Sequence, residues 1–136
     1  MEACTKLGEL YLLQRDPNAA AASLRNAEMF ANVLASLDPR SILPLARIQL
    51  SLAGIYQELD FDGQQEQMVS ASTDAALKSI EHYQKQIEKT PNSMEALLRL
   101  ADSYLFQKNY EQAVYLLDDA IRNDSKKRIT AELTKF

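Results

Sequence analysis

Chemistry in this chain would have to start from very few residues. Cys4 is the only cysteine and His82 the only histidine. A thiol attacks as its thiolate, and a nearby imidazole can take the proton, so the two could pair as nucleophile and base. No motif surrounds either one. Cys4 reads as a small hydrophobe. His82 reads as a partly exposed helix residue, because no Cys or carboxylate stands at ligand spacing from it for a metal. Asp118 and Asp119 are adjacent, so on a helix they point about 100° apart and do not converge as an acid/base pair. Gly8, Gly54 and Gly63 are the only glycines, too scattered for a phosphate-cradling loop. No catalytic residue is expected.

One metal pattern is better formed. Glu58, Asp60 and Asp62 alternate ahead of Gly63, as acids and a sharp-turn glycine do in the first half of a calcium loop, and Glu66 is placed to help. The bidentate acid that closes such a loop belongs at residue 69, which is Val69. Without it the cation loses two oxygens. The stretch therefore reads as a polar loop with a Gly turn. Neither metal nor cofactor is expected.

The elements that would position any of these residues are helices. Gly and Pro are few (3 and 4), Trp is absent, and Ala, Leu, Gln, Glu and Lys dominate the 136 residues. That length supports one domain with a moderate core. The formal net charge of −4 offers no basic excess for nucleic acid or an anionic membrane. The longest mostly apolar stretch, Ile42 to Tyr56, contains Arg47 and Gln49 and is too short to cross a bilayer. The amino end has no signal pattern, and a single cysteine permits no internal disulfide. An intracellular, cytoplasmic location is the default expectation, and import into an organelle would leave the same sequence.

Residues 92–123 read as a helical hairpin. Leu97, Leu100, Ala101 and Tyr104 mark one helical face, and Tyr110, Ala113, Leu117, Ala120 and Ile121 mark another. Between them, Gln107 to Asn109 is too short and polar to be more than a tight turn, so the helices fold back antiparallel. Ala101 and Ala113 would meet where larger side chains would part the axes. Asn92 and Asn109, followed by Glu95 and Gln112, read as capped starts. Pro91 closes the preceding helix.

The pattern recurs. Leu7, Gly8 and Tyr11, then Leu52, Ala53 and Tyr56, then Leu100, Ala101 and Tyr104, share one spacing. Ala20, Leu24 and Ala27 stand to Tyr11 as Ala113, Leu117 and Ala120 stand to Tyr104. Large-small-x-x-aromatic followed by small, large, small resembles the tetratricopeptide repeat. In the last hairpin Leu97 replaces the usual Trp and Ser125 the closing Pro. The preceding helix conforms at Ser79, Tyr83 and Pro91, with Gln86 in place of the last small residue.

The resemblance implies an all-α fold of antiparallel hairpins stacked as a right-handed solenoid, in one domain. Its repeats would span about 1–39, 41–91 and 92–124, with a short helix at about 125–136. The family period is about 34 residues, whereas the tyrosines here are 45 and 48 apart. A helix running from Asn18 to Leu37 accounts for the first excess. A polar loop, 60–73, between helices 42–59 and 74–89 accounts for the second, and part of it can extend the later helix backwards. Ile129, Leu133 and Phe136 share a face, as in a terminal capping helix or the first turns of a further repeat.

In the family the first helix of each pair lines a groove for a peptide or a partner helix. By register the groove residues would be Glu2, Thr5, Glu9 and Leu12; Arg47, Leu50, Gly54 and Gln57; and Glu95, Leu98, Asp102, Leu105 and Phe106. The resemblance thus implies a non-catalytic scaffold or adaptor in a larger assembly, its partner a protein segment or amphipathic helix, suited by charge to be basic. No nucleic acid or membrane insertion is expected, and oligomeric state is left open. The alternative is a co-chaperone module that clamps an acidic carboxyl tail. That clamp wants Lys and Asn, then Asn, then Lys and Arg. Here Thr5 and Glu9, Ser51, and Glu95 with Arg99 occupy those places, and only Arg99 matches.

Overall fold

The computed structural model describes residues 2–134, of which Asn123 and 125–134 by backbone alone. Every regular element among them is helical: α1 (Glu2–Leu13), α2 (Pro17–Leu37), α3 (Ile42–Glu58), α4 (Asp62–Lys89), α5 (Met94–Phe106) and α6 (Tyr110–Thr134), with a 3-10 turn at Pro39–Ser41. Local chemistry sets the ends. The Asp16 carboxylate accepts from the Ala19 amide at 3.1 Å, and Pro17 fills the first helical position, where its missing N–H costs nothing. Helix α2 thus starts one residue before Asn18. Ser93, not Asn92, caps α5, accepting from the Ala96 amide at 3.3 Å. A turn closed by the Ser93 amide on the Thr90 carbonyl brings Ser93 to that place.

The three hairpins turn in the same way. Arg15, Asp60 and Lys108 have φ of 60°, 59° and 60°. One residue on, the amides of Asp16, Phe61 and Asn109 donate to the carbonyls of Tyr11, Tyr56 and Tyr104 at 2.8, 2.9 and 2.9 Å. The amides of Arg15, Asp60 and Lys108 reach back to Leu12, Gln57 and Leu105. This is the Schellman arrangement, in which a left-handed residue lets the last free carbonyls find donors. Its accompanying apolar contact survives once, as Phe61 against Tyr56, with ring centroids 6.3 Å apart. The repeated tyrosine therefore supplies the carbonyl that closes its turn as well as a ring.

This turn corrects the expected loop at 60–73. Only Leu59 to Phe61 are non-helical, the turn is made at Asp60, and α4 begins at Asp62 with Gly63 in its first turn. The polar run can be helical because small hydroxyl residues satisfy themselves there. Ser72, 2% exposed, donates to the Val69 carbonyl at 2.8 Å, while Met68, Ser72 and Ala76 turn inward one turn apart. The excess over the family period thus lies mainly in the second helices, of 21, 28 and 25 residues. Helix α6 runs unbroken to Thr134, so no separate helix begins at about 125. The side chains of Ile129 and Leu133, and Phe136 as a whole, lie outside the described residues.

The chain forms two compact units that divide within α4, between Lys78 and Ser79. The first core gathers Ala20, Leu24, Ala27 and Ala31 of α2 with Leu45, Ile48, Leu52, Ile55 and Tyr56 of α3. Against α2, α1 comes so close that a Cβ on Gly8 would lie 2.9 Å from Leu24 Cγ. The second core joins Tyr83 of α4, Leu97, Leu100 and Ala101 of α5, and Leu116 and Ala120 of α6.

None of the three left-handed turn residues is glycine, although that conformation costs an L-residue about 1–2 kcal/mol. Lys108→Gly should therefore raise stability by about 1 kcal/mol, and Lys108→Val should lower it, because a β-branched residue tolerates positive φ worst. Urea unfolding midpoints at unchanged slope measure both.

Candidate protein-binding surface

In the first unit, α1 and α3 flank a cavity of about 280 Å³. Glu2, Thr5, Lys6 and Glu9 line one side, and Pro44, Arg47 and Ile48 the other. Four of these, Glu2, Thr5, Glu9 and Arg47, are groove positions by repeat register. Gly8 of α1 and Ala53 of α3 are buried and hold the two helices against the core, which leaves these residues to line the cavity. Lys6 and Arg47 offset Glu2 and Glu9, so this surface is mixed in charge rather than acidic. Leu12 and Leu50 are exposed on the same two helices, 38% and 46%, outside the cavity lining.

In the second unit, Glu95, Leu98, Arg99, Asp102 and Leu105 are exposed along α5, and Phe106 is half-buried at its end. The buried residues Ala96, Leu97, Leu100, Ala101 and Ser103 occupy the opposite side of the helix. Acid, base and acid alternate down this face, with Leu98 and Leu105 between them. Leu98 also enters a cavity of about 300 Å³ with Met94 of α5 and Leu117, Ala120, Ile121 and Asp124 of α6.

The chemistry-bearing residues are placed as core neighbours. Cys4 is half-buried and packs against the first core. The His82 ring meets Tyr83 edge-on, with centroids 4.9 Å apart. Among the described residues no three His, Cys, Asp or Glu side chains gather as a metal site. The calcium pattern at Asp60 and Asp62 has no loop to form, because α4 starts at Asp62. None of the described helices is long and apolar enough to cross a membrane.

Sequence reasoning missed a third surface. Asn32, Ala35 and Ser36 of α2, Leu45 and Gln49 of α3, and Ala71, Asp74 and Lys78 of α4 line an open cavity of about 390 Å³. Gln49 is 5% exposed, and its Oε1 has no hydrogen-bond partner among the described residues. Reading 60–73 as a loop hid this cavity, since it needs α4 as a wall. The apolar row Met29, Val33 and Leu37 is exposed on α2, at 63%, 59% and 77%.

The tetratricopeptide repeat description matches residues 73–132, from within α4 through α5 into α6. That stretch carries the likeness to the tetratricopeptide repeat. The repeat's small positions are the buried alanines: Ala20, Ala27, Ala53, Ala101, Ala113 and Ala120 are all at most 3% exposed. No curated protein matches the chain. Two crystal structures of MamA are similar to it. One is 21% identical, over 93% of this chain and 80% of its own, with a TM-score of 0.38. The other is 20% identical, over 93% and 74%, with a TM-score of 0.37. Likeness at this level carries nothing about function.

Proposed function

We propose that the chain is a non-catalytic scaffold or adaptor within a larger protein assembly, and that its first helices carry the partner. In the first unit the surface would comprise Glu9, Leu12, Arg47 and Leu50 of α1 and α3, and in the second unit, by itself, Glu95, Leu98, Arg99, Asp102, Leu105 and Phe106 of α5. The observation that supports this most is the cavity between α1 and α3. Its walls come from two helices far apart in sequence, and its polar lining consists largely of groove-register residues. A tetratricopeptide repeat offers surfaces for proteins. The alternation of charge with exposed leucines suits an amphipathic helix or extended segment carrying basic groups opposite Glu9, Glu95 and Asp102.

The test begins with affinity capture and mass spectrometry, followed by binding kinetics of the recovered partner. Phe106→Ala should cost about 2 kcal/mol of affinity, seen mainly as faster dissociation, if this ring anchors the contact. Reversing Glu95 and Asp102 to Lys should slow association and flatten its salt dependence. Parent-like binding by both variants, with melting temperatures intact, would exclude the α5 face.

A further inference from the structure

Each later first helix buries the same three positions against the second helix before it. Counted back from the repeat tyrosine by eight, four and one, they are Ile48, Leu52 and Ile55 in α3, at 7%, 0% and 3% exposure, packed in one core with α2. In α5 they are Ala96, Leu100 and Ser103, at 1%, 4% and 0%. Ala96 and Leu100 pack with Tyr83 of α4, and Ser103 Oγ lies 2.8 Å from Ser79 Oγ of the same helix. The same count in α1 gives Ala3, Leu7 and Leu10. These are apolar, as every counterpart but Ser103 is, yet Ala3 is exposed and Leu7 and Leu10 are 44% and 55% exposed. Nothing among the described residues covers them.

The complementary half is on α6. Counted forward from the tyrosine, Leu117, Ala120 and Asp124 stand where Leu24, Ala27 and Ala31 stand in the first hairpin. On α2 those positions are buried in the core shared with α3. On α6 Ala120 is already buried at 2% and Leu117 packs beside it in the second core, and both edge an open cavity of about 300 Å³ with Met94, Leu98 and Ile121. Ile121 is 64% exposed and Val114, two turns earlier, 58%. The chain therefore displays, on α1 and around Val114 and Ile121 of α6, apolar faces in the register of the interface that it makes internally between α3 and α2.

We propose that the chain self-associates head to tail: Ala3, Leu7 and Leu10 on α1 of one copy enter the α5–α6 cleft of a second copy, as α3 packs on α2 within the chain. The contact continues an existing interface from one molecule to the next. Its two faces differ, so it is heterologous, and each added copy presents a free face to the next. It does not depend on the groove reading.

Sedimentation velocity on the full chain, over a concentration series into the hundreds of micromolar, tests this. The average mass should rise past that of a dimer. Leu10→Glu disables one face and Ile121→Glu the other, and each variant alone should be a monomer, weakened by at least about tenfold. Mixed in equal amounts, they should form a dimer and nothing larger, because one intact face remains on each. Leu37→Glu, which removes an exposed leucine elsewhere, should behave as the parent. Circular dichroism melting checks folding, with Leu7→Glu and Val114→Glu as the second pair. A parent that stays monomeric overturns the proposal. So does a mixture that stays monomeric, or an association that saturates at two copies and ignores Ile121→Glu.

Discussion

Replacing Leu52 by Ala should destabilise the protein by about 2–5 kcal/mol, in the upper half of that range. Leu52 is fully buried, and much of what surrounds it in the first core is Ala20, Ala21, Ala27 and Ala31. A cavity's cost depends on how far its walls can relax, and methyl groups fixed to helix backbones cannot swing in to fill one. Leu97, 2% exposed in the second core, should cost a similar amount when truncated. Because the cores belong to different units, the two variants should differ in where they act. Hydrogen exchange should quicken first around α2 and α3 for Leu52→Ala, and around α5 for Leu97→Ala. A loss below about 1 kcal/mol for either, by urea unfolding with unchanged slope, would mean that its side chain is not enclosed as described.

The first and last hairpins were legible because each is marked twice, by a fixed tyrosine and by small residues a set distance beyond it. Ala20, Leu24 and Ala27 sit in the first core where Tyr11 places them, and Ala113 and Ala120 are buried in the second hairpin of the same spacing. Segment 62–73 was illegible because its inward row is Met68, Ser72 and Ala76, too polar and too small for hydrophobic periodicity to register. The tight turn at Asp60 launches α4 at once, and the buried Ser72 hydroxyl is satisfied within its own helix. No short-range pattern reports either. The start of α5 was misplaced by one residue because Asn92 and Ser93 are both good caps, and only the Thr90–Ser93 turn decides between them.

The candidate surface was legible to the extent that helical phase determines it. The tyrosine fixes which side of each first helix is buried, so the positions on the opposite side follow, and Glu9 and Arg47 come to one cavity on that account. What surrounds them is set by neighbours in space. Lys6 enters beside Glu9 and changes an acidic face into a mixed one, and Leu98 is drawn toward Leu117 and Ile121 of α6. The cavity around Gln49 needs three helices at once, which no single stretch of sequence announces.

Ala101→Leu and Ala27→Leu should each lower stability by about 1–3 kcal/mol, by the opposite fault to a cavity. Both alanines are 0% exposed, the first among α4, α5 and α6 residues and the second among α2 and α3 residues. Three added carbons have no empty rotamer there, so they must displace a neighbour or part the helix axes. Ala75, 6% exposed, cannot serve as a surface control, but Ala22 is exposed on α2 and can. Leu and Ala differ little in helix propensity, so Ala22→Leu isolates packing from the intrinsic preference of the backbone. Gly8→Ala adds a single carbon at the closest approach, 2.9 Å from Leu24 Cγ, and should destabilise even though alanine favours the helix. The measurement is the melting temperature of all four variants against the parent. A fall for Ala27, Ala101 and Gly8 with none for Ala22 is the result expected of crossings held apart by only methyls and a hydrogen. Equal melting temperatures throughout would show that the small residues do not sit where the helices meet, and the register that aligns the three tyrosines would go with them.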